Sequence, residues 1–177
     1  MKNLVFFTAI LLTIFSCTTQ KVDVDWDRSV DFTQFKTYQI SSDSLDMNEL
    51  DKKQFLTIFN NELNVKGLSV DANPDLQIQV KPDFFFSESQ NSSVGVGAGG
   101  GSFGSGGGFG GGVSFGIPIN STKLNQNYVI QFFDNNVLIW EGNLNVQVSE
   151  NATMQTKGNA ISKGVKKLMK NYPPKEK

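Results

Sequence analysis

Apolar and polar residues change period along this chain, and each change marks an element. Val22, Val24 and Trp26 alternate with Asp23, Asp25 and Asp27. Period two with one apolar side predicts a strand with one buried face. Phe35 to Ile40 (FKTYQI) predicts a second short strand. From about residue 48 to 66 the period becomes helical: Phe55, Phe59 and Leu63 fall four apart, and Leu56 and Ile58 widen the stripe. Asn48 suits the N-cap, and Glu49 and Asp51 suit the positive end of the helix. Lys66-Gly67 is a stop, because glycine accepts the left-handed conformation just past the C-cap.

Asn73-Pro74-Asp75 predicts a turn. Leu76, Ile78 and Val80 then alternate with Gln77, Gln79 and Lys81, and Phe84 and Phe86 continue that parity past Pro82. A proline cannot donate to a ladder, so an edge, a bulge or a break is expected there. Leu124, Tyr128, Ile130 and Phe132 share one parity, and Asp134-Asn135-Asn136 is a tight-turn signal. Leu138, Trp140, Leu144, Val146 and Val148 share a face opposite Asn143, Asn145 and Gln147, which predicts a long antiparallel hairpin. Trp140 reads as core, and Glu141-Gly142 reads as a bulge. A last helix is expected from about Asn151 to Asn171, with Met154, Ile161, Val165, Leu168, Met169 and Tyr172 in one stripe. Gly158, Ala160 and Gly164 permit close packing there, and Pro173-Pro174 ends it. The order of elements predicts an α+β domain: a mostly antiparallel sheet with two amphipathic helices on one face.

Between the middle strands, residues 94–118 hold 13 of the 17 glycines. That composition buries too little apolar area to offset its backbone entropy, so a long flexible Gly-rich loop is expected. Phe103, Phe109 and Phe115 recur in it every six residues, either as low-complexity drift or as a sticky loop for lipid or a partner. The segment also spells false motifs. Gly95-x-Gly97-x-x-Gly100 lacks the strand-to-helix context of a dinucleotide site. The Gly-x-Ser-x-Gly strings at 100–104 and 112–116 lack any histidine to take a proton.

Composition narrows the chemistry further. The 177 residues contain no histidine and one cysteine, which removes His-dependent nucleophilic sites, His-ligated metals and an intrachain disulfide. Sixteen basic against seventeen acidic residues give a net charge of −1, so no field draws in nucleic acid. The Asp23-x-Asp25-x-Asp27 ladder fails as a calcium loop, with Arg28 where glycine is needed and Gln34 where glutamate is needed. No catalytic, cofactor or metal residues are therefore assigned. Glu62, Glu88, Glu141 and Glu150 remain as carboxylates for a hydrolase of envelope polysaccharide, if the fold brings two of them together. The fifteen phenylalanines leave room for a third reading, a binder of a small apolar ligand between sheet and helices. Lys163, Lys166, Lys167 and Lys170 crowd the end of the last helix, as a solvated face or as a surface for anionic lipid or polymer.

The amino terminus carries the most specific signal. Lys2 precedes a 12-residue run, Leu4 to Phe15, broken only by Thr8 and Thr13. As a helix it spans about 18 Å, too short for a bilayer core of about 30 Å and right for a signal peptide. Ile14-Phe15-Ser16-Cys17 resembles a bacterial lipobox. The resemblance implies cleavage after Ser16 and a diacylglyceryl thioether on Cys17. An ordinary cleaved signal or a short buried segment is the alternative reading. Expected boundaries are residues 1–16 for the signal, 17–20 for the lipidated cysteine and tether, 21–174 for one domain and 175–177 for a tail. Thr18, rather than an aspartate, follows Cys17; by similarity to proteobacterial sorting this points to the outer membrane, and Thr18-Thr19-Gln20-Lys21 in place of an acidic run points to its periplasmic face.

Five segments in order carry a wider likeness: Phe35-Lys36-Thr37-Tyr38, Leu63-x-x-Lys66-Gly67-Leu68, Asn73-Pro74-Asp75-Leu76-x-Ile78-x-Val80, Val137 to Gly142 (VLIWEG) and Tyr172-Pro173-Pro174. Together they resemble the bacterial lipoprotein family called "domain of unknown function 4136", across about Lys21 to Pro174. The resemblance implies an envelope lipoprotein and this fold class. It implies no reaction and no catalytic residues. The expectation is a non-enzymatic binding or structural component, held to the membrane by the Cys17 lipid, with an envelope protein or polymer as partner. The oligomeric state is left open.

Overall fold

The computed structural model describes residues 19–41, 45–89, 93–97, 114–118 and 121–175. The lipobox residues Ile14, Phe15, Ser16 and Cys17 lie outside them. The chain enters in strand β1 (Thr19–Trp26), turns through a short 3-10 segment at Phe32–Gln34 and forms β2 (Thr37–Ile40). Helix α1 (Glu49–Val65) follows, then β3 (Ser69–Val70) and the long β4 (Leu76–Ser89). A separate two-stranded ladder pairs β5 (Ser93–Gly97) with β6 (Ser114–Pro118), the two ends of the glycine-rich segment. The hairpin of β7 (Ser121–Asp134) and β8 (Val137–Ser149) leads to helix α2 (Met154–Met169).

The six main strands run in the order β1-β8-β7-β4-β2-β3. From β1 to β4 every neighbour is antiparallel, but β2 is parallel to both β4 and β3. The sheet is therefore mixed rather than mostly antiparallel. The reason is connectivity: α1 separates β2 from β4, and a helical crossover returns the chain in the same direction.

Both helices lie on one face, as their contacts show. Phe55 of α1 stacks on Tyr128 of β7 with ring centroids 4.6 Å apart. A Cβ placed on Gly164 of α2 would meet Leu144 and Val146 of β8, and one on Gly158 would meet Gln54 of α1. Helix α1 begins where Asn48 accepts from Asp51 N and ends at Gly67, whose φ is +83°. Helix α2 begins at Thr153, whose side chain accepts from Thr156 N. Met154 thus sits in the first turn and is exposed, outside the stripe that Ile161, Val165, Leu168 and Met169 bury. Between sheet and helices the space is filled by Phe59, Leu63, Ile130, Phe132, Trp140 and Tyr172, all buried. Phe132 packs on Trp140 at 4.7 Å and on Tyr172 at 5.0 Å.

One expected bulge lies elsewhere. The β7–β8 register shifts between Phe132, paired with Trp140, and Phe133, paired with Leu138, so Ile139 is the extra residue. The shift exchanges faces: Ile139 is buried and Leu138 is exposed, against the plain alternation. Gly142 answers a different need, because the Trp140 ring and Leu168 occupy the space a side chain would take. The turn itself is Asn135-Asn136, with φ of 46° and 66°, the left-handed pair that a two-residue hairpin uses.

Candidate functional site

Strand alternation that puts valine, leucine and isoleucine under the helices puts amides on the opposite face, which no helix among the described residues covers. Across β1, β8, β7 and β4, register lines these side chains into rows. One row runs Asp25, Glu141, Gln131, Gln79; the next runs Asp23, Asn143, Val129, Lys81; a third runs Lys21, Asn145, Asn127, Asp83. The amides bond along the rows. Gln147 Nε2 donates to Asn125 Oδ1 at 3.0 Å, and Asn145 Nδ2 donates to Asn127 Oδ1. Asn125 Nδ2 instead crosses to the neighbouring row and donates to Ser87 Oγ at 2.8 Å. At the far side Gln77 Nε2 reaches Gln39 Oε1 at 3.4 Å. Each amide keeps further donor or acceptor capacity after these bonds. Phe85 stands exposed beside Asn125, giving the amide field an aromatic margin.

The first row ends in an open cleft of about 330 Å³ lined by Asp25, Trp26, Asp27, Leu138, Ile139 and Glu141. The Ile139 bulge shapes it, and Asp27 N closes one wall by donating to Ile139 O at 2.9 Å. Its carboxylates are already engaged. Glu141 accepts from Gln131 Nε2 at 2.7 Å and from Asn143 Nδ2 at 3.3 Å. Asp27 accepts from the hydroxyl and backbone N–H of Ser29, and these bonds hold it below the usual carboxylate range. Asp25 lies 3.9 Å from Arg28, whose guanidinium sits over the Trp26 ring at 5.1 Å. Hydrogen-bonded in this way, the carboxylates act as oriented acceptors.

The other glutamates are dispersed. Glu62 is buried on α1, with Lys166 of α2 at 4.0 Å, on the helix side of the sheet. Glu88 and Glu150 are exposed and flank Thr122, one by strand pairing and the other through its backbone N–H. Glu141 alone of the four lies on the amide face. The sequence shows the alternation of Asn143, Asn145 and Gln147, yet it cannot show that their rows continue into Gln131, Asn127 and Asn125, because that depends on register. Asp25 and Glu141 come together in the same way, as cross-strand partners.

The model of one protein family matches residues 22–174. The chain belongs to that family, Domain of unknown function (DUF4136). The DUF4136 match takes in the main sheet from Val22 of β1 onward and both helices. A PDZ domain protein from Parabacteroides distasonis ATCC 8503 is similar in fold, with a TM-score of 0.52 and 20% identity over 99% of this chain. This chain spans 41% of that protein's length, so the likeness concerns the fold alone. Two PelC dodecamer structures from Paraburkholderia phytofirmans align at 8% identity with TM-scores of 0.48 and 0.49. They cover 85% and 89% of this chain and 95% and 100% of their own. No curated protein matches.

Proposed function

We propose that this member of the DUF4136 family is a bacterial envelope lipoprotein, anchored to the outer membrane through Cys17, that binds another envelope component and performs no bond chemistry. The partner class we favour is a hydroxyl-rich polysaccharide. The observation that carries this is the amide field on the face of the sheet away from both helices. It offers donors and acceptors about 4.8 Å apart along each row, the separation of neighbouring strands and close to the length of one sugar ring, with successive rows about 6.8 Å apart. A protein partner would call for an apolar centre, whereas Val129 is the one apolar side chain in these three rows. The Glu141 and Asp25 carboxylates at one end supply strong acceptors for paired hydroxyls, and Phe85 supplies a ring face at the other.

The test is retention of the purified chain on insoluble envelope glycan. Asn143 and Gln147 are replaced together by alanine, since both reach solvent on this face. The reading expects retention to fall about tenfold, equivalent to two lost hydrogen bonds of about 0.7 kcal/mol each, with the circular dichroism spectrum unchanged. Unchanged retention contradicts it. Release of new reducing ends from the glycan, abolished by Glu141→Gln, would replace it with the hydrolase reading.

A further inference from the structure

Helix α2 carries no acidic residue from Met154 to Met169. At about 100° per residue, positions 163, 166, 167 and 170 fall within one arc of about 100°. Lysines occupy all four, and all four are exposed, opposite the buried stripe of Ile161, Val165, Leu168 and Met169. Lys166 lies 4.0 Å from Glu62. Among the described residues no carboxylate pairs with Lys163, Lys167 or Lys170. Four like charges on one face repel one another, so a counter-surface stabilises the arrangement.

The position of this face suggests what that surface is. Lys167 Nζ donates to the Gln20 carbonyl at 2.9 Å, which pins the lysine face to the first turn of chain in β1. Gln20 follows Cys17 by three residues, and strand geometry already begins at Thr19. Three residues reach at most about 11 Å. A diacylglyceryl thioether on Cys17 would set that residue at the level of the lipid headgroups. The lysine face then stands close to the leaflet, at a distance comparable with the physiological Debye length of about 8 Å.

We propose that the lysine face of α2 is a second membrane contact, which reads the anionic headgroups of the leaflet holding the Cys17 lipid. The proposal rests on the lipoprotein reading and deepens it by adding an orientation. With α2 against the bilayer, the helix layer faces lipid and the amide field on the opposite side of the sheet faces away, open to polymer. A lipid anchor alone leaves the domain free to tumble about its tether; a lysine face beside the tether does not.

The test uses the chain without residues 1–16 and with Cys17→Ala, which retains every residue of the described fold. It is sedimented with vesicles of mixed phosphatidylglycerol and phosphatidylcholine, and with vesicles of phosphatidylcholine alone. We expect partition onto the anionic vesicles only, falling as salt rises. A lysine near an anionic surface strengthens partition about fivefold, so Lys163→Glu with Lys170→Glu lowers it more than tenfold. The control pair Lys36→Glu with Lys81→Glu changes net charge equally at exposed sites outside both helices and leaves partition within about twofold. Absence of partition onto anionic vesicles overturns the proposal, and so does an equal loss in the control pair. Tighter binding to soluble polyglutamate than to the vesicles also overturns it, in favour of an acidic polymer. Because the chain tested carries no acyl group, none of these results depends on whether Cys17 is lipidated.

Discussion

Replacing Gly142 by alanine adds one methyl group at the tightest point of the sheet. The new Cβ would overlap the Trp140 ring at its Cη2 and Cζ3 atoms and would lie 2.9 Å from Leu168 Cδ1. The ring cannot swing away. It is fully buried, packed on Phe132 at 4.7 Å and edge-on to Tyr172 at 5.9 Å. Leu168 is also fully buried, so α2 must shift outward or the Trp140 side chain must leave its rotamer. Overpacking of this kind costs about 1–3 kcal/mol. Alanine recovers up to about 1 kcal/mol of the backbone entropy that glycine loses in a strand. The net expectation is a destabilisation centred on about 1 kcal/mol. Urea unfolding followed by far-ultraviolet circular dichroism measures it: the midpoint falls and the slope stays constant, because the surface exposed on unfolding is the same. Trp140 fluorescence should shift as well, since the ring or its neighbours must move. A midpoint equal to or above that of the natural chain would refute the reasoning and show that β8 and α2 have slack that the packing does not suggest.

Asp75 staples β2 to the turn before β4, accepting from Lys36 N at 2.8 Å and Thr37 N at 2.9 Å. These bonds, led by the one from Lys36, lower its pKa from 3.8; that stability is present above the unfolded value and is lost as pH falls through the folded one, so Asp75→Asn should flatten the acid limb below about pH 4 in thermal melts. Gly67→Ala meets no atom within 4 Å yet must hold a φ of +83°, and should cost about 1 kcal/mol in urea titration, with Gly67→Asn costing less.

Elements governed by local chemistry are legible in the sequence, and those governed by register are not. The caps of α1, Asn48 and Lys66-Gly67, are where short-range rules place them. So is the Asn135-Asn136 turn, because two left-handed residues in a row leave few alternatives. Parallel pairing of β2 with β4 is invisible to periodicity, which is blind to strand direction. The Ile139 bulge hides for a related reason: an extra residue looks like alternation until the partner strand is counted. Strands β5 and β6 hide in glycine, whose missing side chain erases the period-two signal. The site follows the same division. Its amides are visible as the polar half of each strand, but their rows, and the meeting of Asp25 with Glu141, exist only once four strands are aligned.

Cys17 is the residue on which the proposed membrane anchoring depends. Cells expressing the natural chain or Cys17→Ala are fed an alkyne-bearing fatty acid, fractionated, and the protein is isolated from each fraction. The account predicts label on the natural chain in the outer-membrane fraction, and an unlabelled Cys17→Ala chain in the soluble one. A natural chain recovered unlabelled with a free thiol, or a Cys17→Ala chain still labelled and membrane-bound, would contradict it.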